Sequence, residues 1–277
     1  MALKINRETT AQDKFLKTVY GNAFLRSLIK PFTCPAFSAF SGKLLSCPLS
    51  GLLVKPFISA NKIDMSDYEA KDYTSFNDFF TRKVKAGARP IDKSAKIISP
   101  CDGKATAYKI STTGVFKIKG SFYDLYSLTR SEKIANRFNG GTAVIIRLCV
   151  DNYHRYCYPI SGIKSKNKKI GGFLHTVNPA ALDHIKVFCE NSRECCVVRN
   201  KDICVAQIEV GALIVGKISN NTPDRASVRK GEEKGCFEFG GSTIVLLING
   251  CDVRSELINN TRLGFETIIK QGEAISF

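Results

Sequence analysis

From about residue 95 the chain runs through short apolar segments that are rich in Val and Ile: KIISP, GKATAYKI, GVFKIKG, TAVIIRLCV, CCVVRN, DICVAQIEVGALIVGKI, CFEFGG and STIVLLI. Each is strand-length and bounded by Gly, Asn, Asp or Pro, which constrains this part of the chain to a β-rich body. Helical segments are expected to interrupt it at residues 125–137 and 180–188, and the lysine-rich KSKNKK at residues 164–169 reads as a solvated turn. Residues 13–60 have a different pattern. Their apolar positions recur at helical spacing, broken by Pro31, Pro35, Pro48 and Pro56, so several short helices are expected there. The expected class is therefore α+β, with a β-rich core at residues 71–277 and short amphipathic helices within residues 1–70. At 277 residues and 44% hydrophobic content, the chain is long and apolar enough to bury a sizeable core.

The N-terminal helices mix Phe15, Leu16, Phe24, Leu25, Leu28 and Ile29 with Lys14, Lys17, Arg26 and Lys30. This pattern suits a layer packed on the body, a basic surface resting on anionic lipid, or both at once. A net charge of +16 points to an acidic partner, whether nucleic acid, an anionic membrane or a phosphate-bearing substrate. No RNP-like aromatic signature or recognition-helix pattern supports nucleic acid. The eleven cysteines are scattered with no CxxC pair, which argues against a structural zinc site and a fully paired disulfide framework. Because MALKINRETTAQDKF lacks an uninterrupted apolar core, the thiols are expected to be reduced and cytosolic. No run approaches 18 uncharged apolar residues, so any membrane contact is expected to be peripheral.

Chemistry centres on Gly240, Gly241, Ser242 and Thr243, which sit between two strand-like runs and locally read as a turn. A Gly-Ser bond also offers a second option. The serine hydroxyl lies one residue beyond the glycine carbonyl, and a glycine lacking Cβ can adopt conformations that expose that carbonyl to attack. Attack converts the amide to an ester. Loss of the serine α-proton then eliminates the ester to dehydroalanine, and hydrolysis leaves a pyruvoyl group and ammonia. The step needs partners. His154, in DNYHRYCYPISG after a strand, can take a hydroxyl proton near neutral pH, although a histidine beside Tyr153 and Tyr156 is ordinarily just packed. Asp102, in SPCDGK, reads either as a turn residue or as the third member of an Asp, His, Ser relay. Sequence order alone leaves open whether the three meet.

The segments FNDFFTRKVKAGARPID, SPCDGK, FKIKGSFYDL, NYHRY, GGFLHTVNPAAL, VGALIVGKI and KGCFEFGGSTIVLL resemble, in order and rough spacing, those of phosphatidylserine decarboxylases. The resemblance runs from about Val19 to Ile275 and is similar to the shorter bacterial-type branch. It implies self-cleavage between Gly241 and Ser242, giving a β chain of residues 1–241 and an α chain of residues 242–277 capped by a pyruvoyl group made from Ser242. It further implies that Asp102, His154 and Ser242 carry self-processing. The pyruvoyl carbonyl would form a Schiff base with phosphatidylserine, and His154 would protonate the carbanion left by carbon dioxide, yielding phosphatidylethanolamine. His175 and Asn178 of LHTVNP, with Phe79 and Phe80 of FNDFF, are the implied pocket residues. No metal is implied.

One position departs from the family pattern. Many members carry a histidine three residues after the first, where this chain has Cys157, so His154 either does both jobs or the roles divide differently. The implied partners are phosphatidylserine and an anionic membrane surface, with Phe24, Leu25, Leu28 and Ile29 inserting. Family analogy adds a homodimer and a peripheral location on the cytoplasmic side of the cell membrane. Two alternatives stay open: a pyruvoyl-dependent decarboxylase of a soluble amino acid on the same fold, and an unprocessed lipid-binding homologue.

Overall fold

The computed structural model describes residues 4–5, 11–118, 120–213, 217–238 and 242–277. Gly241, one side of the expected scissile bond, therefore lies outside the described residues, whereas Ser242 lies within them. The N-terminal region forms α1 (Ala11–Gly21), α2 (Ala23–Ile29), α3 (Pro35–Leu45), a 3₁₀ turn at Pro48–Leu53, α4 (Val54–Ala60) and α5 (Phe76–Phe80). The prolines start α3 and the 3₁₀ turn, where a missing N–H costs nothing. Asn22 caps α2 by accepting from the N–H groups of Phe24 and Leu25. No single helix among the described residues is long and apolar enough to cross a membrane. Pro35–Leu45 and Pro48–Ala60 reach that composition only as a pair, and they meet at 81°.

The strands that build the site are β1 (Gly103–Lys109), β2 (Thr142–Leu148), β3 (Arg155–Cys157), β4 (Arg193–Arg199), β5 (Cys204–Val210), β6 (Ile218–Asn220), β7 (Glu233–Phe237), β8 (Ser242–Asn249) and β9 (Glu266–Ile269). The main sheet is antiparallel and runs Lys4–Ile5, β9, β1, β2, β8, β5, β4, Gly162–Lys164, Ala226–Val228, with Lys168–Ile170 also pairing β4. A smaller sheet, β6-β7-β3, roofs one of its faces. The fold is thus α+β with a β-rich core, as the apolar runs implied.

Both faces of the main sheet are covered, which is why STIVLLI and TAVIIRL read as continuous apolar runs and not as alternating ones. On one face Ile145, Val245, Ile208 and Val197 pack with Tyr20, Tyr123 and Phe188. On the other, Ile146, Ile244, Leu246 and Val205 pack with Tyr156, Tyr158 and Phe237 of the roof. A third cluster joins Phe76, Phe79 and Phe80 to Val54, with Phe57 and Tyr73 against it, and anchors α4 and α5.

Three local expectations need correction. Residues 180–188 are mostly turn, closed by short-range bonds such as His184 N–H to Ala181 O, and only Val187–Glu190 is helical. KSKNKK is no solvated turn throughout: Lys164 is fully buried, and its ammonium donates to the carbonyls of Ser165, Pro223 and Asp224, which satisfies the charge without a carboxylate. On α2, Leu25 and Ile29 turn inward against the core, so only Phe24 and Leu28, 71% and 55% exposed, remain of the four residues expected to insert into lipid.

Candidate active site

Antiparallel register gathers the chemical residues at one end of the main sheet. Ser242 opens β8 and pairs with Leu148, the last residue of β2. Val210, the last residue of β5, pairs with Thr243, so Gly211 comes level with Ser242. Asp102 directly precedes β1, and His154 follows β2 by six residues. Side chains alternate along strands, so Ser242 shares a face with Ile244 and Leu246, the face covered by the small sheet. His154 precedes β3, and its carbonyl accepts from the N–H of Phe237 at 3.0 Å, continuing the ladder with β7. The same alternation puts the imidazole on the side of Tyr156, which packs among the apolar residues of Ser242's face. The imidazole stacks on Phe80 of the third cluster, so hydroxyl and imidazole are both buried at the same end of the main sheet.

Both groups are fully buried, and Ser242 Oγ and His154 Nε2 have no hydrogen-bond partner among the described residues. A buried polar group without a partner costs about 1–3 kcal/mol and calls for an explanation. The histidine tautomer follows from its other nitrogen. Nδ1 lies 2.9 Å from the carbonyl oxygen of Asn152, an acceptor only, so Nδ1 carries the proton and Nε2 is a bare acceptor. Burial, with a further push from the Arg82 guanidinium, holds the imidazole pKa down to about 3, so the ring is neutral at neutral pH. Phe80 lies over the ring with centroids 3.9 Å apart and keeps water from that face.

Arg82 fixes the loop that carries the histidine. It is 2% exposed, donates to the carbonyls of Asp151 at 2.8 Å and Asn152 at 3.1 Å, and stacks over Tyr68 and Phe79. Asp102 sits in a separate arrangement. Arg89 grips its carboxylate through Nε at 2.8 Å and Nη2 at 2.7 Å, while the backbone N–H of Gln271 donates at 2.8 Å. Burial works against the Arg89 charge, yet the Asp102 bonds outweigh it and raise the guanidinium pKa. In this structure no hydrogen bond joins Asp102 to His154, or His154 to Ser242. The three residues lie at one end of the sheet, but each is held by other groups.

Cys157 does not stand in for a histidine in this space. Three residues from His154, it falls on the opposite side of β3 and packs with Ala95, Ile98 and Ala274. Burial pushes its thiol up to about 12, so it stays protonated. Of the expected pocket residues, Phe80 touches the imidazole, whereas Phe79 is buried among Phe57, Tyr73 and Phe76. Asn178 donates to Asp13 at 2.8 Å and ties α1 to the loop after Phe173. The backbone N–H of His175 donates to the side chain of Asn191 at 3.0 Å, and Asn191 donates in turn to the carbonyl of Gly211 at 2.7 Å. His175 therefore leans on the strand next to Ser242.

Sequence reasoning missed an ion pair on Ser242's own face. Glu209 pairs with Ile244 in the sheet, one diagonal from Ser242, and its carboxylate meets Lys234 of the roof at 2.8 Å, both side chains fully buried. Lys234 also donates to Asn220 Oδ1 at 2.7 Å, and Asn220 donates to Glu194 at 2.7 Å. Glu209 Oε1 has no hydrogen-bond partner among the described residues. The signal was present in the sequence, as Gln207 and Glu209 interrupt the apolar run CVAQIEV at alternate positions.

A bare imidazole nitrogen and a hydroxyl without a hydrogen-bond partner among the described residues are thus buried at one end of the main sheet of an α+β fold. The family description "Phosphatidylserine decarboxylase" matches residues 76–275. The chain is 42% identical over 265 residues to phosphatidylserine decarboxylase proenzyme 2 of Clostridium acetobutylicum, covering 94% of this chain and 90% of the relative. It is 39% identical over 289 residues to a phosphatidylserine decarboxylase proenzyme of Clostridium perfringens, covering 98% and 97%. For the proenzyme of Fusobacterium nucleatum the identity is 37% over 279 residues, covering 98% and 93%. The chain belongs to the phosphatidylserine decarboxylase family and is a decarboxylase.

Proposed function

We propose that this chain is a self-processing proenzyme that converts phosphatidylserine to phosphatidylethanolamine and carbon dioxide, with Ser242 as the source of its pyruvoyl group. The observation that carries the reading is the fully buried Ser242 Oγ at the head of a central strand, without a hydrogen-bond partner among the described residues and at the same end of the main sheet as the bare Nε2 of His154. The orphaned hydroxyl and the apolar walls fit a pyruvoyl group, which supplies a carbonyl that accepts the electron pair released as carbon dioxide leaves.

The remaining work falls to side chains of this chain. His154 accepts the Ser242 hydroxyl proton at Nε2 during processing and returns a proton from the same atom during turnover. Arg82 fixes its loop, and Phe80 excludes water from its ring. Asp102, clamped by Arg89 and by the Gln271 N–H, supports the end of the sheet where β1 begins, and closer approach to His154 would require its loop to shift.

Residues 1–70 are the membrane-facing region in this reading, and residues 71–277 the catalytic one. Support comes from Phe24, Leu28, Phe40, Leu49 and Leu52, all exposed on the N-terminal helices, in a chain of net charge +16. Eleven unpaired thiols suit contact with the cytoplasmic side. The test is carbon dioxide release by purified protein from phosphatidylserine vesicles, compared with free aromatic and aliphatic amino acids. Release from vesicles alone is expected, and release only from free amino acids would overturn the substrate assignment.

A further inference from the structure

A cavity of about 550 Å³ opens at the far end of the main sheet from Ser242, within the size range of small-ligand sites. Strand register fixes the separation. Arg199 ends β4 and pairs with Cys204, and Cys204 pairs with Asn249, the last residue of β8. Ser242 is the first residue of that strand, so seven steps of about 3.3 Å put roughly 23 Å between the two ends. The faces differ as well. Val197 and Arg199 lie on the face that packs with Tyr20, Tyr123 and Phe188, whereas Ser242 shares the face of Ile244 and Leu246. A ligand held in this cavity is therefore not the one that reacts at Ser242.

The floor is aliphatic. Ile163 pairs with Arg199 across the strands and is 41% exposed, and Val197 lies two residues back on the same face. The helix Glu132–Arg137 covers this corner, with Ile134 packed against the core and Arg137 Nη1 3.9 Å from Cys204 Sγ. Charge around the floor is one-sided. Lys133 and Arg137 stand four apart on one side of the helix, Arg199 comes from the sheet, and Lys166 and Arg225 come from loops. None of the described residues lining the cavity is acidic. Lys133, Arg137, Arg199 and Arg225 have no ion-pair partner among the described residues, and Lys166 meets Asp224 only at 3.9 Å, with both side chains largely exposed. Like charges four apart on a helix repel, so this gathering of cations calls for an anion. We infer that the cavity is a second ligand site, for a phosphomonoester of an aliphatic alcohol, with the dianionic phosphate among Lys133, Arg137 and Arg199 and the alkyl part on Ile134, Ile163 and Val197. Each guanidinium can meet two phosphate oxygens at once. No aromatic ring lines the cavity, so nothing there would stack on a nucleobase.

The test uses the full chain beside Lys133→Gln combined with Arg199→Gln, two exposed positions whose change should leave the melting temperature as it was. Calorimetric titration with hexyl phosphate should show saturable binding by the parent, weakened at least tenfold in the double variant. Arg225→Gln, an independent change, should weaken it severalfold. Inorganic phosphate, which leaves the aliphatic floor empty, and hexyl sulfate, which carries one charge in place of two, should both bind more weakly than hexyl phosphate. Phosphatidylcholine vesicles with and without phosphatidic acid identify the source of the ester. Co-sedimentation that needs phosphatidic acid and falls in the double variant assigns the site to a lipid headgroup, whereas lost hexyl phosphate binding with unchanged co-sedimentation assigns it to a soluble ester. No saturable binding by the parent, equal binding by the variants, or hexyl sulfate binding as tightly as hexyl phosphate would overturn the site. Binding is read directly, so the outcome does not depend on decarboxylation.

Discussion

Replacing Lys234 by methionine removes one partner of a fully buried ion pair and leaves the Glu209 carboxylate facing apolar side chains and Asn220. Methionine approximates the stem's volume, so the cost is mainly electrostatic. Breaking such a pair typically costs about 3–5 kcal/mol, a large share of the roughly 5–15 kcal/mol that holds a domain together. At about 2–4 °C per kcal/mol for chains approaching this size, thermal unfolding should come roughly 6–20 °C earlier. The loss should depend on pH with a definite sign. Burial already raises the Glu209 pKa, and losing the ammonium raises it further. A raised folded pKa favours the protonated form, so the variant should regain stability relative to the parent as pH falls toward the ordinary glutamate value of about 4.3. Adding Glu209→Gln should recover most of the loss at neutral pH, because no uncompensated charge remains. Circular dichroism melts of the parent, single and double variants at several pH values read all of this. A single variant within about 1 kcal/mol of the parent, or a double variant no better than the single, would refute the reasoning.

Three further outcomes follow from the site. His154 is held neutral with its pKa near 3, below its unfolded value of about 6.5, so the unfolded chain takes up a proton first as pH falls; stability should decline below pH 6.5, and His154→Phe should flatten that part of a urea-midpoint profile. Arg89→Ala leaves Asp102 buried without its bidentate partner and should slow self-processing at least tenfold, read by gel densitometry, whereas Arg89→Lys should restore part of the rate through a single contact. Phe24→Ser with Leu28→Ser should cut co-sedimentation with anionic vesicles severalfold, whereas Leu25→Ser should act mainly by lowering the melting temperature, since Leu25 packs inward.

Much of the body could be read from the chain because strands buried on both faces need unbroken apolar residues, and STIVLLI and TAVIIRL supply them. KSKNKK reads as a turn, yet a lysine can be buried when three carbonyls take its protons, and two of them, on Pro223 and Asp224, come from 59 and 60 positions away, invisible to local polarity. The site shows the same division. His154 and Ser242 stood out by chemistry, and strand alternation places Cys157 on the far side of β3, a period already present in the sequence. The Arg89 clamp on Asp102 and the Arg82 clamp on the His154 loop were not legible, since both depend on how loops meet at the end of the sheet. Leu25 and Ile29 were assigned to lipid because a helix with apolar residues on two edges does not say which edge faces the core.

The central claim is that the chain makes its own reactive group at Ser242. Intact-mass spectrometry of the purified protein beside Ser242→Ala tests it most directly. The account predicts that the parent resolves into residues 1–241 and an α chain beginning at position 242 that is lighter by one ammonia than the serine-initiated peptide, while Ser242→Ala stays whole. A parent that remains a single uncleaved chain under native conditions, or an α chain with an unmodified serine, would contradict it.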